Sequence, residues 1–250
     1  MSVQRPKRAP RKPSPSIRAA AFYDLDGTLT DLNLLHATMF FLANLAEWGG
    51  RISYLTALAV RLPRIYMAEQ RDRRLLNVVL LESLKGISRD RLEILGDEYC
   101  DRFLVGRLYP QAVELIERNR EVGLEPVLVS GSPDFVVAPL ARRLNIATFV
   151  ANRLHYFRNL ATGRLLEPVM AGEEKAIWCA NYAAGQDIDL DACWGYADSY
   201  YDLPFLTALG HPVAVNPDRR LEAAAHNRQW PIIRFTKTAP DRDRGREALA

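Results

Sequence analysis

The chain has 250 residues, of which 48% are hydrophobic and 25% charged, with a formal net charge of +3. That balance suits a globular protein with a full core and excludes a fibrous or low-complexity chain. Three cysteines without a CxxC pair and four histidines without HxxxH or HExxH spacing point to neither a disulfide framework nor a zinc site, so a reducing cytoplasm is expected.

The positive charge is local. Residues 1–18 hold six basic residues and no acid, which leaves residues 19–250 near −3. Rich in proline and poor in apolar side chains, this basic tail is expected to be disordered, and residues 237–250 are expected to form a flexible C-terminal tail. The N-terminal stretch lacks the apolar run of a secretory signal. Weak contact with an anionic membrane surface is compatible with its charge; specific nucleic-acid binding is not expected.

From residue 19 the pattern becomes regular. Residues 19–24 read as a buried strand, and residues 34–105 as a run of helices. Pro110 opens and Gly123 closes a helix that leads into a second strand over 124–130. Further short strands are predicted at 147–152, 192–197, 211–216 and 231–235, with helices near 133–145, 172–185, 199–210 and 217–228. A hairpin over 153–168 has turn residues around Asn159 and Thr162-Gly163. The alternation predicts an α/β fold with a doubly wound parallel sheet and an inserted helical cap. Its core would comprise residues 19–33 and 106–236, and its cap residues 34–105. Arg61 and Pro63-Arg64 break the most apolar stretch, which falls short of the ~18 apolar residues of a membrane span.

Charged and hydroxyl groups gather at the predicted strand ends. "FYDLDGT" ends the first strand with Asp24 and Asp26, which project to the same side of extended backbone with Cα atoms roughly 6–7 Å apart. Ser130-Gly131-Ser132 ends the second strand, Lys175 lies early in a helix, and Asp198 and Asp202 flank a strand-to-helix turn. In open α/β sheets ligands bind at the carboxyl ends of the strands. Carboxylates crowded there without histidine or cysteine point to Mg²⁺. Each motif also has a purely structural explanation: a turn at Asp24 and Asp26, a cap at Ser130 or Asp198, and solvated helix positions at Lys175 and Asp202.

Taken in order, "FYDLDGTLT", "VLVSGS", "GEEKA" and "YADSYYDLPFL" resemble the haloacid dehalogenase superfamily of phosphohydrolases, with its Rossmann-like core. The similarity covers roughly residues 19–235 and looks strongest toward the branch containing phosphoserine phosphatase and phosphatidylglycerophosphatase C. The resemblance implies that Asp24 is the nucleophile and that Asp26 is the general acid and base. It also implies that Asp24, the backbone carbonyl of Asp26 and Asp198 hold Mg²⁺. Ser130, the Gly131 amide and Lys175 would bind the phosphoryl group, with Thr28 as a further donor and Asp202 supporting Lys175 or the metal shell. Asn33 stands where the phosphoserine pattern has glutamate, and Tyr201 where it has asparagine, which weakens the case for an amino-acid substrate.

The expectation is a Mg²⁺-dependent cytoplasmic phosphomonoesterase acting on a phosphorylated small molecule. Residues 51–74 carry six arginines against two acids at helical spacing with leucines, which raises the alternative of a lipid-phosphate phosphatase peripheral to the membrane. A noncatalytic protein that binds anionic surfaces is the alternative from another class; the paired aspartates speak against it.

Overall fold

A computed structural model describes residues 18–44 and 73–236. Its centre is a six-stranded, wholly parallel sheet. In chain order the strands are β1 (Ala20–Tyr23), β2 (Glu125–Pro133), β3 (Thr148–Asn152), β6 (Trp194–Ala197), β7 (His211–Val215) and β8 (Ile232–Ile233). A separate antiparallel hairpin pairs β4 (Leu154–Phe157) with β5 (Leu160–Leu165). The order across the main sheet is β3-β2-β1-β6-β7-β8, so β1 lies between β2 and β6.

All four residues of β1 are sealed from solvent, as expected for a central strand covered on both faces. Successive side chains alternate between two apolar layers. Ala21 and Tyr23 join the layer beneath α4 (Pro110–Glu121) and α5 (Asp134–Arg143). Ala20 and Phe22 join the layer beneath α6 (Glu173–Gly185), α7 (Leu203–Thr207) and α8 (Arg219–Arg228). Between β1 and β6 the rings of Tyr23 and Tyr196 stack at 4.9 Å. Asn119 Nδ2 donates to both hydroxyls, at 2.7 and 2.9 Å.

The described residues between β1 and β2 include α1 (Leu34–Asn44), α2 (Arg73–Glu82) and α3 (Arg89–Tyr99) before α4. The last of these runs through a single π turn, Cys100–Leu104, into Val105–Arg107. Their apolar residues belong to the same layer as Tyr23 and Leu128, so the inserted helices and the sheet share one core. Phe41 of α1 meets Phe135 of α5 edge-on at 5.3 Å. Where the insertion returns, Arg107 is ion-paired with Asp31, and Thr30 Oγ1 donates to the Arg107 carbonyl at 3.0 Å. These contacts hold the segment that leaves β1 against the segment that re-enters the core.

Several boundaries differ from expectation. The hairpin turns at Arg158 and Asn159, both left-handed (φ 48° and 65°), and Thr162-Gly163 lies within β5. Two consecutive left-handed residues make the tight turn whose twist matches that of the paired strands. The helix expected over 199–210 divides into a 3₁₀ turn, Tyr200–Asp202, and the short α7. The insertion is interrupted after α2, where Gly86 N and Ile87 O both pair with Ala161 of the hairpin. Arg18, assigned to the tail, pairs with Glu125 at 3.3 Å and donates to the Gln186 carbonyl. The remaining tail residues 1–17, the C-terminal 237–250 and nearly all of the arginine-rich 51–74 lie outside the described residues. Among the described residues, no helix is long and apolar enough to cross a membrane.

Candidate active site

The loop after β1 owes its shape to Gly27. Its φ is +85°, and a Cβ there would fall 2.2 Å from Asp198 Oδ2. Only glycine lets the backbone approach the β6 carboxylate so closely. The Gly27 amide donates to the Thr30 carbonyl at 2.9 Å and closes the turn. Thr28, fully buried, brings its hydroxyl within 3.1 Å of Asp24 Oδ2 and 3.3 Å of Asp198 Oδ1.

Asp24 itself is only 3% exposed. Its Oδ1 accepts from Lys175 Nζ at 2.6 Å, and the same ammonium lies 2.9 Å from Asp202 Oδ1. Lys175 is buried in the first turn of α6, where the positive end of the helix dipole disfavours a cation. The two carboxylates offset that cost. Burial alone lowers an ammonium's affinity for its proton, but Asp202 and Asp24 outweigh it and hold Lys175 above the ordinary lysine range.

Oxygen atoms of Asp24, Asp198 and Asp202 lie within 4.8 Å of one another. An all-carboxylate, oxygen-only donor set of this kind fits a hard divalent cation such as Mg²⁺. This trio contains Asp202 where the sequence pointed to Asp26. The Asp26 carboxylate is engaged elsewhere, accepting from Ser132 Oγ at 2.7 Å. The expected contribution of Asp26 is its main-chain carbonyl, which the side-chain grouping leaves open.

The second strand delivers its residues through an irregularity: β2 loses register with β3 between Val129 and Pro133. Ser130 and Ser132 are both buried there, and Ser130 Oγ accepts from the Ser132 amide at 3.0 Å. Asn152, at the end of β3, donates to the Gly131 carbonyl at 2.6 Å and accepts from the Met170 amide at 2.7 Å. Its buried side chain therefore ties the irregular end of β2 to the segment that leads into α6.

Several of the purely structural explanations do not match the structure. The 3₁₀ turn after β6 is capped by Ser199, whose Oγ accepts from the Tyr201 amide, and not by Asp198. Asp202 and Lys175 are buried rather than solvated. Helix α5 has no side-chain cap, so Ser130 is not spent on one. The structure brings Asp24, Thr28, Lys175, Asp198 and Asp202 into direct contact or close approach. Asp26, Ser130 and Gly131 form the adjoining wall through Ser132.

Three contributors carried no distinct sequence signal. Ser132 stood in a noticed motif without a role, Asn152 looked like the end of a strand, and Tyr99 lay inside a helical pattern. The hydroxyl of Tyr99 is within 2.9 Å of His36 Nδ1. Burial pushes its pKa up, and the Asp26 charge adds to the effect. A separate cavity of about 470 Å³ between α3, α5 and the hairpin is lined by Arg89, Asp134, Arg153 and Tyr156, and by none of the converging acids.

Comparison with known proteins points to one family. A family model described as haloacid dehalogenase-like hydrolase matches residues 21–207. A protein named as a probable phosphatase of Mycobacterium tuberculosis is 30% identical over 243 residues, covering 96% of this chain and 84% of the relative. A phosphoserine phosphatase of the same organism is 28% identical, over 90% and 73% respectively. A Bordetella pertussis protein of unknown function superposes with a TM-score of 0.74 at 25% identity, covering 87% of this chain and 99% of the other. A phosphoserine phosphatase solved as a phospho-aspartyl intermediate analogue superposes with a TM-score of 0.64 over 89% of this chain and 95% of the other; at 17% identity it shares the fold. With its motifs in order along the matched segment and their side chains gathered at one sheet edge, the chain belongs to the haloacid dehalogenase-like hydrolase family.

Proposed function

We propose that the chain is a Mg²⁺-dependent phosphomonoesterase acting through an aspartyl-phosphate on Asp24. The observation that carries this reading is the buried Asp24 carboxylate, held by Lys175 at 2.6 Å and grouped with Asp198 and Asp202. Asp24 and Asp198, with Asp202 or the Asp26 carbonyl, would hold Mg²⁺. When bound, the ion supplies charge neutralisation that lets a carboxylate approach a phosphate dianion.

An Asp24 oxygen attacks phosphorus as the bond to the ester oxygen breaks, and protonated Asp26 gives its proton to the departing alkoxide. A water then attacks the phosphorus of the acyl phosphate and loses its proton to Asp26. Inorganic phosphate leaves and the Asp24 carboxylate is regenerated. Splitting one displacement into two steps is the gain of covalent catalysis. The Ser132 hydroxyl, donating to Asp26 Oδ2, anchors that carboxyl. Thr28, Ser130, the Gly131 amide and the Lys175 ammonium are the donors for the charge spread over the phosphoryl oxygens.

The substrate is a phosphorylated small molecule in this reading. Asn33 supports a departure from phosphoserine: its exposed side chain accepts from the His36 amide at 3.1 Å and so opens α1. The deciding measurement is phosphate release from an aryl phosphate with and without Mg²⁺, in the wild type and an Asp24→Asn variant. The expected result is release that needs both Mg²⁺ and Asp24. Equal rates in the two proteins, or none in the folded wild type, would overturn the reading.

A further inference from the structure

One polar side chain from the inserted helices reaches the phosphate-loop region and is used by nothing described so far. Asn77, on α2, is only 5% exposed. A Cβ placed on Gly131 would fall 2.8 Å from Asn77 Nδ2 and 3.1 Å from the Met170 carbonyl oxygen, so the amide rests directly on the irregular end of β2. Among the described residues its amide has no hydrogen-bond partner. Among the described residues, the side-chain atoms that are both fully sealed and unpartnered are Gln111 Oε1 and Asn216 Nδ2; the Asn77 amide is not one of them and retains contact with open space. A nearly buried amide without a protein partner keeps hydrogen-bonding capacity that a group arriving with the ligand can take up.

We infer that Asn77 reads a hydroxyl group on the alcohol half of the substrate, which makes the preferred substrate a hydroxylated phosphate monoester. This inference rests on the phosphomonoesterase reading and assigns the substrate class of the same site. Position supports it: Asn77 reaches from the insertion onto Gly131, in the segment proposed to bind the phosphoryl group. Chemistry narrows it. A primary amide offers both a donor and an acceptor and carries no charge. A hydroxyl is also both donor and acceptor, and so can satisfy either half of the amide. A carboxylate can use only the N–H groups, and an ammonium only Oδ1; each would also bring a charge into a buried place where Asn77 supplies no counter-charge.

The test compares kcat/KM for glycerol 3-phosphate and ribose 5-phosphate with that for propyl phosphate and phosphoethanolamine. Wild type, Asn77→Leu and Asn77→Ser are measured after thermal melts confirm folding. The wild type is expected to favour the hydroxylated esters by about tenfold or more, the value of an uncharged hydrogen bond at a desolvated site. In Asn77→Leu the preference should collapse toward unity, mainly through a higher KM for the hydroxylated esters. Asn77→Ser, which keeps a hydroxyl, should retain part of it and carries the test should the leucine variant not fold. A wild type without the preference, or the same ratio in the folded variants, overturns the assignment of Asn77 and leaves the phosphatase reading standing. A wild type that releases no phosphate from any ester, aryl phosphate included, overturns both.

Discussion

Replacing Lys175 by methionine keeps most of the side-chain volume and removes the charge that Asp24 and Asp202 share. The ammonium lies 2.6 Å from one carboxylate and 2.9 Å from the other, with each of the three side chains about 95% buried. At an effective dielectric of 20, each contact is worth about 6 kcal/mol of attraction. Desolvation of three charged groups and repulsion between the two acids consume much of it, and removing one partner of such a buried cluster costs about 3–5 kcal/mol net. For a domain of this size that corresponds to a fall in Tm of about 10 °C. The measurement is a thermal melt of wild type and Lys175→Met at pH 7, with and without Mg²⁺. Because methionine leaves the acids unneutralised, Mg²⁺ should recover a larger share of the loss in the variant than it adds to the wild type. Phosphate release should fall by at least about 100-fold, as expected when a charged donor is lost from a phosphoryl site. A variant melting within about 2 °C of wild type without Mg²⁺, less than 1 kcal/mol of change, would refute the idea that Lys175 neutralises this cluster.

Other outcomes follow from single contacts. Gly27→Ala should lose at least about tenfold in activity and in apparent Mg²⁺ affinity, because the added Cβ would sit 2.2 Å from Asp198 Oδ2 at a φ of +85°; unchanged Mg²⁺ titration curves would count against the tight approach. Asn119→Ala strips both tyrosine hydroxyls of their shared donor and should cost about 2–3 kcal/mol in urea unfolding while kcat stays near wild type, since Asn119 lies outside the acidic cluster. Alkali should destabilise the fold. Burial pushes the Cys100 thiol up to about 11, and Lys175 also holds its proton more tightly than an unfolded lysine. The unfolded chain therefore loses these protons first; their stabilisation is complete below about pH 8.5 and drains away as pH rises through the native values. Urea midpoints that hold steady or climb between about pH 8 and 10.5 would contradict this sign. Cys100, Cys179 and Cys193 are all buried, so a thiol reagent at pH 8 should label none in the native protein and all three after unfolding.

Much of the architecture was legible before any coordinates. "AAFY" is apolar on both alternations, which only a strand covered on two faces requires, and β1 proved to be such a strand. Pro110 and Gly123 bracketed α4 because one lacks an amide proton the first turn does not need and the other takes the left-handed bend beyond the helix end. The hairpin's existence was legible, and Asn159 was one of the two turn positions read from the sequence: Asn159 and Gly163 both tolerate positive φ, and local sequence cannot rank them, whereas pairing of β4 with β5 can.

At the site, the residue types and their places at strand ends came from the sequence alone: acids after β1 and β6, hydroxyls at the end of β2, and a lysine at the start of α6. Which groups touch was decided by tertiary structure, because Asp24 and Lys175 are separated by 151 positions and meet only once β1 and α6 pack on the same sheet. The choice of Asp202 as the third carboxylate depends on the tight 3₁₀ turn after β6, and the engagement of Asp26 by Ser132 on the lost register of β2. Asn152 and Asn77 gave no warning in the sequence, since an amide announces itself only by what it is folded against. Side-chain chemistry is a property of each residue and can be read one letter at a time; burial and partnership belong to pairs of residues, and the path of the chain creates them.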